Sequence, residues 1–187
     1  TQVITLFARM SDGTVVRGES NIPNFDNRIR EIFYDEKVEA NPEAMDAIIQ
    51  ADVIFIGIGS LYTSVIPCLI IDGICDAIKK SKATRYYMCN AMSQPGETDY
   101  YSVEDHVEAL EKHTFKGIVP NVIVAPNNAS DSLLKKYENK GSYPVKIKQN
   151  KHDYNIILED LLDVKGDFIR HDPVKIRDFV IKLLKES

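Results

Sequence analysis

A cluster of glycines and hydroxyls directly follows one of the most apolar short segments of the chain. The segment Val53–Ile56 has the continuous, β-branched pattern of a strand in a parallel sheet that is covered on both faces. In such sheets, ligands bind at the loops that leave the carboxyl ends of the strands. We predict ligand contacts for six residues of this loop, whose glycines leave space and whose hydroxyls can form hydrogen bonds: Gly57, Gly59, Ser60, Tyr62, Thr63 and Ser64.

This loop matches no complete phosphate-binding motif. It lacks the third glycine of GxGxxG and the lysine of the Walker loop. The alternative interpretation is that Gly57 and Gly59 only permit a tight turn with positive φ.

A second polar loop, residues 90–99, follows the next predicted strand. The amides of Asn90 and Gln94 each offer a donor and an acceptor, which suits them to read the edge of a base or the hydroxyls of a sugar. Glu97 is suited to bind a ribose diol or to act as a general base. Gly96 and Thr98 complete the predicted contacts of this loop. The alternative is a solvated turn that caps the following helix.

Arg170 stands near the end of a short predicted strand, followed by His171, Asp172 and Pro173. A guanidinium at this position can hold a diphosphate with two parallel hydrogen bonds. It can equally form a structural ion pair with Asp172 or another acid, and the residues alone do not decide between these interpretations.

The elements that would position these residues alternate between strand and helix from residue 42 onward. The patterns predict strands at 53–56, 85–89 and 119–125, and shorter ones at 145–147, 156–158 and 168–169. They predict helices at 42–50, 69–80, 131–139 and 173–184, and one that Ser102 caps. This order predicts a Rossmann-like α/β fold, with a doubly wound, mainly parallel sheet in three layers. The loops 57–64, 90–99 and 126–130 should then meet at one crevice.

The first 35 residues have a different pattern. Apolar and polar residues alternate over 1–9 and 28–34, and an Asp-Gly pair within residues 11–14 predicts a hairpin that returns along 15–19. We expect an antiparallel β-ribbon that extends a single domain of residues 1–187.

Composition narrows the class of protein. The 187 residues are 44% hydrophobic and 27% charged, with a net charge of −5, which argues against nonspecific binding to nucleic acid. No apolar run has the length of a membrane span. Three cysteines without a CxxC pair favour reduced thiols and a cytoplasmic protein. No pattern predicts a metal site, and no residue is assigned a catalytic role beyond the open alternative of a general base at Glu97.

Taken as a set, five motifs resemble one family: MSDGTVVRGESNIP, GIGSLYTSVIP, CNAMSQPGETD, DHVEAL and IRHDP. This is the bacterial gluconeogenesis-factor family of the CofD-like superfamily, and the resemblance covers essentially the whole chain. It implies a cytoplasmic regulatory protein that binds UDP-sugars, notably UDP-N-acetylglucosamine. Such a protein would link gluconeogenic carbon metabolism to cell-wall precursor synthesis and cell shape. The resemblance also implies nucleotide-sugar contacts at Tyr137 and Arg170.

Further expectations follow from the same resemblance. In some members the ligand state controls an interaction with glucosamine-6-phosphate synthase, which implies that enzyme as a partner. We also expect a homo-oligomer, and no cofactor besides the UDP-sugar ligand. Members of the family begin with a strand and a glycine-rich phosphate loop that this sequence lacks, so we expect the chain to correspond to the C-terminal part of a member.

The enzymes of the superfamily provide the alternative function. They transfer a phospholactyl group onto a deazaflavin and use metal-binding aspartates. The alternative is therefore a phosphotransferase of the 2-phospho-L-lactate transferase type that acts on a nucleotide-linked substrate.

Overall fold

A central parallel sheet organises the chain, as a computed structural model of residues 4–25 and 27–186 shows. Its strands lie in the order β4-β5-β6-β7, and each pairs in parallel with its neighbour. These strands are β4 (Val53–Ile56), β5 (Thr84–Met88), β6 (Asn121–Val124) and β7 (Asn155–Leu158). The predicted strands at 53–56, 85–89, 119–125 and 156–158 are confirmed within two residues at each end.

Helices cover both faces of this sheet. They are α1 (Pro42–Gln50), α2 (Ile66–Leu69), α3 (Ile74–Lys80), α4 (Val103–His113), α5 (Asp131–Glu138) and α6 (Pro173–Glu186). Successive side chains of a strand point to opposite faces. Tyr87 accordingly packs in one buried cluster with Leu110 of α4, whereas Met88 packs in a second cluster with Leu133 of α5 and Phe179 of α6. The predicted three-layer α/β fold is confirmed.

The N-terminal region forms its own antiparallel sheet, as predicted. Its strands, in the order β2-β1-β3, are β1 (Leu6–Met10), β2 (Val15–Arg17) and β3 (Ile29–Tyr34). Residues 1–3 of the first predicted strand lie outside the described residues. Ala8 and Ile32 pair across β1 and β3, and both are buried in the same cluster as Leu110 of α4. The ribbon therefore packs into the core of the α/β layers.

The helix predicted at 69–80 is wrong at its start. A helical segment occupies Leu61–Leu69, first as a π-helical turn (Leu61–Val65) and then as α2, and α3 begins only at Ile74. Gly73 separates the two helices, with a φ of +91°. A Cβ at Gly73 would lie 2.7 Å from the sulfur of Met45, so the break also lets the chain approach α1 closely.

Two short predicted strands are also corrected. Residues 145–147 form no strand, because the Val145 N–H donates to the Ala91 carbonyl and the Lys146 carbonyl accepts from Val103. The strand predicted at 168–169 lies two residues later, as β9 (Arg170–His171), which pairs antiparallel with β8 (Leu162–Asp163). No helix among the described residues has the length and apolar character needed to cross a membrane.

Candidate functional site

Two of the predicted loops meet at the carboxyl ends of β4 and β5. The side-chain amide of Asn90 donates to the Gly59 carbonyl at 3.0 Å, and that of Gln94 donates to the Ser60 hydroxyl at 2.7 Å. The amide donors that we predicted to face a ligand thus connect loop 90–99 to loop 57–64. The third loop, 126–130, reaches loop 90–99 through Asn127, whose side-chain amide donates to the sulfur of Met92 at 3.2 Å.

Glu97 forms a third connection between the two loops. Its carboxylate accepts from the Thr63 hydroxyl at 3.0 Å and from the Tyr62 N–H at 3.3 Å. The residue is 6% exposed, and burial raises the pKa of the carboxyl although the hydrogen bonds oppose that change. The acid predicted as a ribose ligand or general base therefore faces donors of its own chain.

A cavity of about 700 Å³ lies between loop 90–99 and the segment that contains Arg170. We call it the Arg170 cavity, and its polar lining includes Asn90, Gln94, Tyr137, Lys140, Arg170 and His171. The Tyr137 hydroxyl accepts from the Ile169 N–H at 2.8 Å, so α5 fixes the backbone immediately before Arg170. The volume is in the range of small-molecule sites.

Two buried polar atoms of this cavity have no hydrogen-bond partner. They are Oε1 of Gln94 and Nε2 of His171, out of five such atoms among residues 4–25 and 27–186. Buried polar groups nearly always have a partner, so each exception calls for an explanation. Burial also lowers the pKa of His171, which favours a neutral imidazole. Both atoms are themselves buried, so a molecule in the cavity could pair with them only after the two side chains turn toward it.

Arg170 gives the cavity an accessible positive charge. Its side chain is 71% exposed, and the nearest carboxylate oxygen, on Asp163, is 3.8 Å away. Asp172 instead accepts from the Val174 and Lys175 N–H groups in the first turn of α6. The ion pair with Asp172 is therefore wrong, whereas the alternative of an ion pair with another acid is confirmed by Asp163. Arg170 can therefore contact an anion in this cavity.

A second cavity, of about 750 Å³, lies on the other side of loop 90–99. We call it the Tyr100 cavity, and its lining includes Phe25, Arg28, Gly96, Glu97, Tyr100 and Tyr101. Pro95 lines both cavities, so the loop is the wall between them.

The structure thus separates the predicted site residues into three groups. Four line the Arg170 cavity: Asn90, Gln94, Tyr137 and Arg170. Five take part in contacts that hold the two loops or the core: Gly59, Ser60, Tyr62, Thr63 and Thr98. The remaining four line other surfaces. Gly57 and Ser64 line an apolar groove beside β4, and Gly96 and Glu97 line the Tyr100 cavity. Ligand contact stays a prediction for each of them.

Four polar residues of the Arg170 cavity were not among the predicted contacts: Ser93, Lys140, Ser142 and His171. His171 could have been predicted from the sequence, because it lies in the same IRHDP motif as Arg170. Lys140 and Ser142 follow α5 in a turn of ordinary composition, which gave no signal. No group of three or more His, Cys, Asp or Glu residues within the described part of the chain is placed to hold a metal ion.

Comparisons with known proteins agree with the fold and the motifs. The family described as 2-phospho-L-lactate transferase CofD matches residues 1–162. A gluconeogenesis factor of Bacillus subtilis is 40% identical over 187 residues, covering 98% of this chain and 59% of that protein. A putative gluconeogenesis factor of Thermotoga maritima is 41% identical over 184 residues, covering 95% and 58%.

A solved structure is similar as well. A Bacillus halodurans protein described as a member of the UPF0052 family superimposes with a TM-score of 0.89 at 38% identity, covering 96% of this chain and 59% of that one. The chain thus spans somewhat more than half the length of these relatives. From the family match over residues 1–162 and these similarities, we conclude that the chain belongs to the CofD family and that its relatives include the gluconeogenesis factors.

Proposed function

We propose that the chain provides one side of a nucleotide-sugar site in a regulatory protein of the gluconeogenesis-factor type. The ligand would be UDP-N-acetylglucosamine or a close analogue, and ligand binding would connect gluconeogenic metabolism to cell-wall precursor synthesis and cell shape. One observation carries the proposal: Gln94 and His171, each with a buried polar atom that has no hydrogen-bond partner, line the same cavity as Arg170.

Each of these groups suits one part of such a ligand. The guanidinium of Arg170 can hold a diphosphate oxygen pair. The side-chain carbonyl of Gln94 can accept from a base N–H or a sugar hydroxyl, and a neutral His171 can donate or accept through Nε2. Met92 and Ile176 add apolar surface to the same cavity, which a base or an N-acetyl group can contact.

Isothermal titration of the whole protein with UDP-N-acetylglucosamine tests the proposal. We expect binding, and an affinity reduced about tenfold or more in Arg170→Ala, since one charged hydrogen bond contributes about 1.5–3 kcal/mol. Arg177→Ala is the matched control, because Arg177 lies on the exposed side of α6 and pairs with Asp178. No heat and no thermal shift at millimolar ligand would contradict the proposal, as would equal losses in both variants.

A regulatory function requires that the ligand binds one conformation better than another. Glucosamine-6-phosphate synthase is the partner we propose, with a homo-oligomer as the assembled form and the cytoplasm as the location. A pull-down of that enzyme with and without UDP-N-acetylglucosamine tests the coupling, which predicts that the ligand changes the amount captured.

The family match itself favours a second candidate, a phosphotransferase of the 2-phospho-L-lactate transferase type. It predicts turnover of a nucleotide-linked substrate by the whole protein with magnesium. Absence of product from such substrates, together with tight binding of UDP-N-acetylglucosamine, would favour the regulatory function.

A further inference from the structure

The carboxylate of Glu97 is buried at the junction of loops 57–64 and 90–99, and both of its oxygens have a donor. Oε1 accepts from the Thr63 hydroxyl at 3.0 Å and Oε2 from the Tyr62 N–H at 3.3 Å. The ionised carboxylate accepts both bonds, whereas an alanine at this position would accept neither. An amide can keep both contacts, because the Thr63 hydroxyl can accept as well as donate.

These bonds lie next to the bonds that place the cavity residues. The side-chain amide of Gln94 donates to the Ser60 hydroxyl, and Ser60 stands two residues before Tyr62. Within loop 90–99, the backbone N–H of Glu97 donates to the backbone carbonyl of Gln94 at 3.0 Å. The backbone of Glu97 therefore closes the turn that begins at Gln94. Its carboxylate holds Tyr62 and Thr63, in the same loop as the Ser60 that bonds to Gln94. Its side chain lines the Tyr100 cavity and not the Arg170 cavity, so it can act on a ligand there only through other residues.

We propose that Glu97 is a positioning residue of the Arg170 cavity. The hydrogen bonds that it accepts from Thr63 and Tyr62 hold loop 57–64 against loop 90–99, and so keep the bonded pair Gln94 and Ser60 in the arrangement that binds the ligand. The inference rests on the proposed function for the identity of that ligand. Its claim about the two loops does not depend on any ligand.

Titration of the whole protein with UDP-N-acetylglucosamine at neutral pH is the first test. Glu97→Ala removes both accepted bonds and should bind about tenfold more weakly than the wild type. Glu97→Gln can keep both contacts and should restore most of the affinity. Glu104→Ala is the matched control, because Glu104 also accepts backbone N–H groups but holds residues 148–149, away from the Arg170 cavity. It should leave the affinity unchanged.

Amide hydrogen exchange without ligand is the second test, and it separates this inference from the proposed function. Glu97→Ala and Thr63→Val should each accelerate exchange over residues 57–66 about tenfold, and Thr63→Ser should restore the wild-type rate. Exchange in β6 should stay constant. Unchanged exchange over 57–66 in Glu97→Ala, or an affinity that Glu97→Gln does not restore, would overturn the inference. A wild type that binds no UDP-N-acetylglucosamine would contradict the proposed function, whereas the exchange result would still decide the claim about the loops.

Discussion

Two cavities of similar size flank loop 90–99, and they differ in how their polar groups are partnered. In the Tyr100 cavity, Asp99 accepts from the Gly96 N–H, and Asp105 accepts from the Ser102 N–H and hydroxyl. The guanidinium of Arg28 stands 5.5 Å from the centre of the Tyr101 ring. In the Arg170 cavity, by contrast, Gln94 and His171 each have a buried polar atom without a partner.

This difference is more informative than volume. The Tyr100 cavity is slightly larger, at about 750 Å³ against about 700 Å³. Unsatisfied buried polar atoms cost free energy, and a ligand that pairs with them recovers it. The ligand is therefore proposed to bind in the smaller cavity, and the acids of the larger one are interpreted as structural.

The largest expected change in stability comes from a substitution in loop 90–99, which lies between the two cavities. A Cβ at Gly96 would lie 1.9 Å from the Pro23 carbonyl oxygen, and the residue has a φ of +79°. Gly96→Ala should therefore lower the free energy of unfolding by about 3 kcal/mol or more, as a backbone clash adds to the strained φ. Urea denaturation measures this loss.

Gly117→Ala is the control for that substitution. Gly117 has nearly the same φ, +78°, but nothing lies within 4 Å of the added Cβ. It should cost only about 1 kcal/mol, the usual penalty for a side chain in the left-handed region. Equal losses in the two variants would show that the contact between Gly96 and Pro23 is not important.

The second prediction concerns the stability contributed by Glu104, which holds Lys148 at the edge of the Tyr100 cavity. Burial by itself would raise the pKa of Glu104, but hydrogen bonds from His152 and the Gln149 N–H outweigh it and lower the pKa to about 2. Glu104→Gln should cost about 2–3 kcal/mol of unfolding free energy at neutral pH. Ligand affinity should stay unchanged, because the residues that Glu104 holds include Lys148 of the Tyr100 cavity and none of the Arg170 cavity.

The pH dependence of that loss has a defined sign. A carboxyl whose pKa is lowered in the folded state stabilises the fold above its unfolded pKa, near 4.5, and this stabilisation disappears as the pH falls toward 2. The difference in unfolding free energy between wild type and Glu104→Gln should therefore shrink from pH 6 to pH 2. A constant difference across that range would contradict the assignment.

The smallest expected effect compares the two cavities directly. Gln94→Leu removes the unpartnered carbonyl and the bond to Ser60, and should weaken UDP-N-acetylglucosamine about tenfold, or about 1.4 kcal/mol. Tyr100→Ala removes a ring that is 69% exposed and stacks on Tyr143 at 4.7 Å, and should leave the affinity unchanged. The opposite pattern in titrations of the two variants would place the ligand in the Tyr100 cavity.

The sequence predicted the sheet well, because its strands are continuous apolar segments with a clear pattern. Val53–Ile56 is one example, and the predicted helix 42–50, capped by Asn41, matches α1 fully. The break at Gly73 was missed because it depends on close contact with Met45, which is distant in sequence. The segment 145–147 has the composition of a strand, but its backbone groups bond to Ala91 and Val103 instead.

The site was predicted less completely for a similar reason. Residue types indicated which loops hold polar groups, and Asn90, Gln94 and Arg170 do line one cavity. Which atoms stay unpartnered depends on the packing of both loops. The amide of Gln94 has one atom bound to Ser60 and one without a partner, and no local pattern can indicate that.

Hydrogen exchange of the whole protein, with and without saturating UDP-N-acetylglucosamine, tests the choice between the cavities most directly. We predict that the ligand slows exchange at residues 90–94 and 169–173 and leaves residues 23–25 and 99–101 unchanged. Slower exchange at 23–25 and 99–101 alone would contradict the central claim that the cavity with the unpartnered polar atoms binds the ligand.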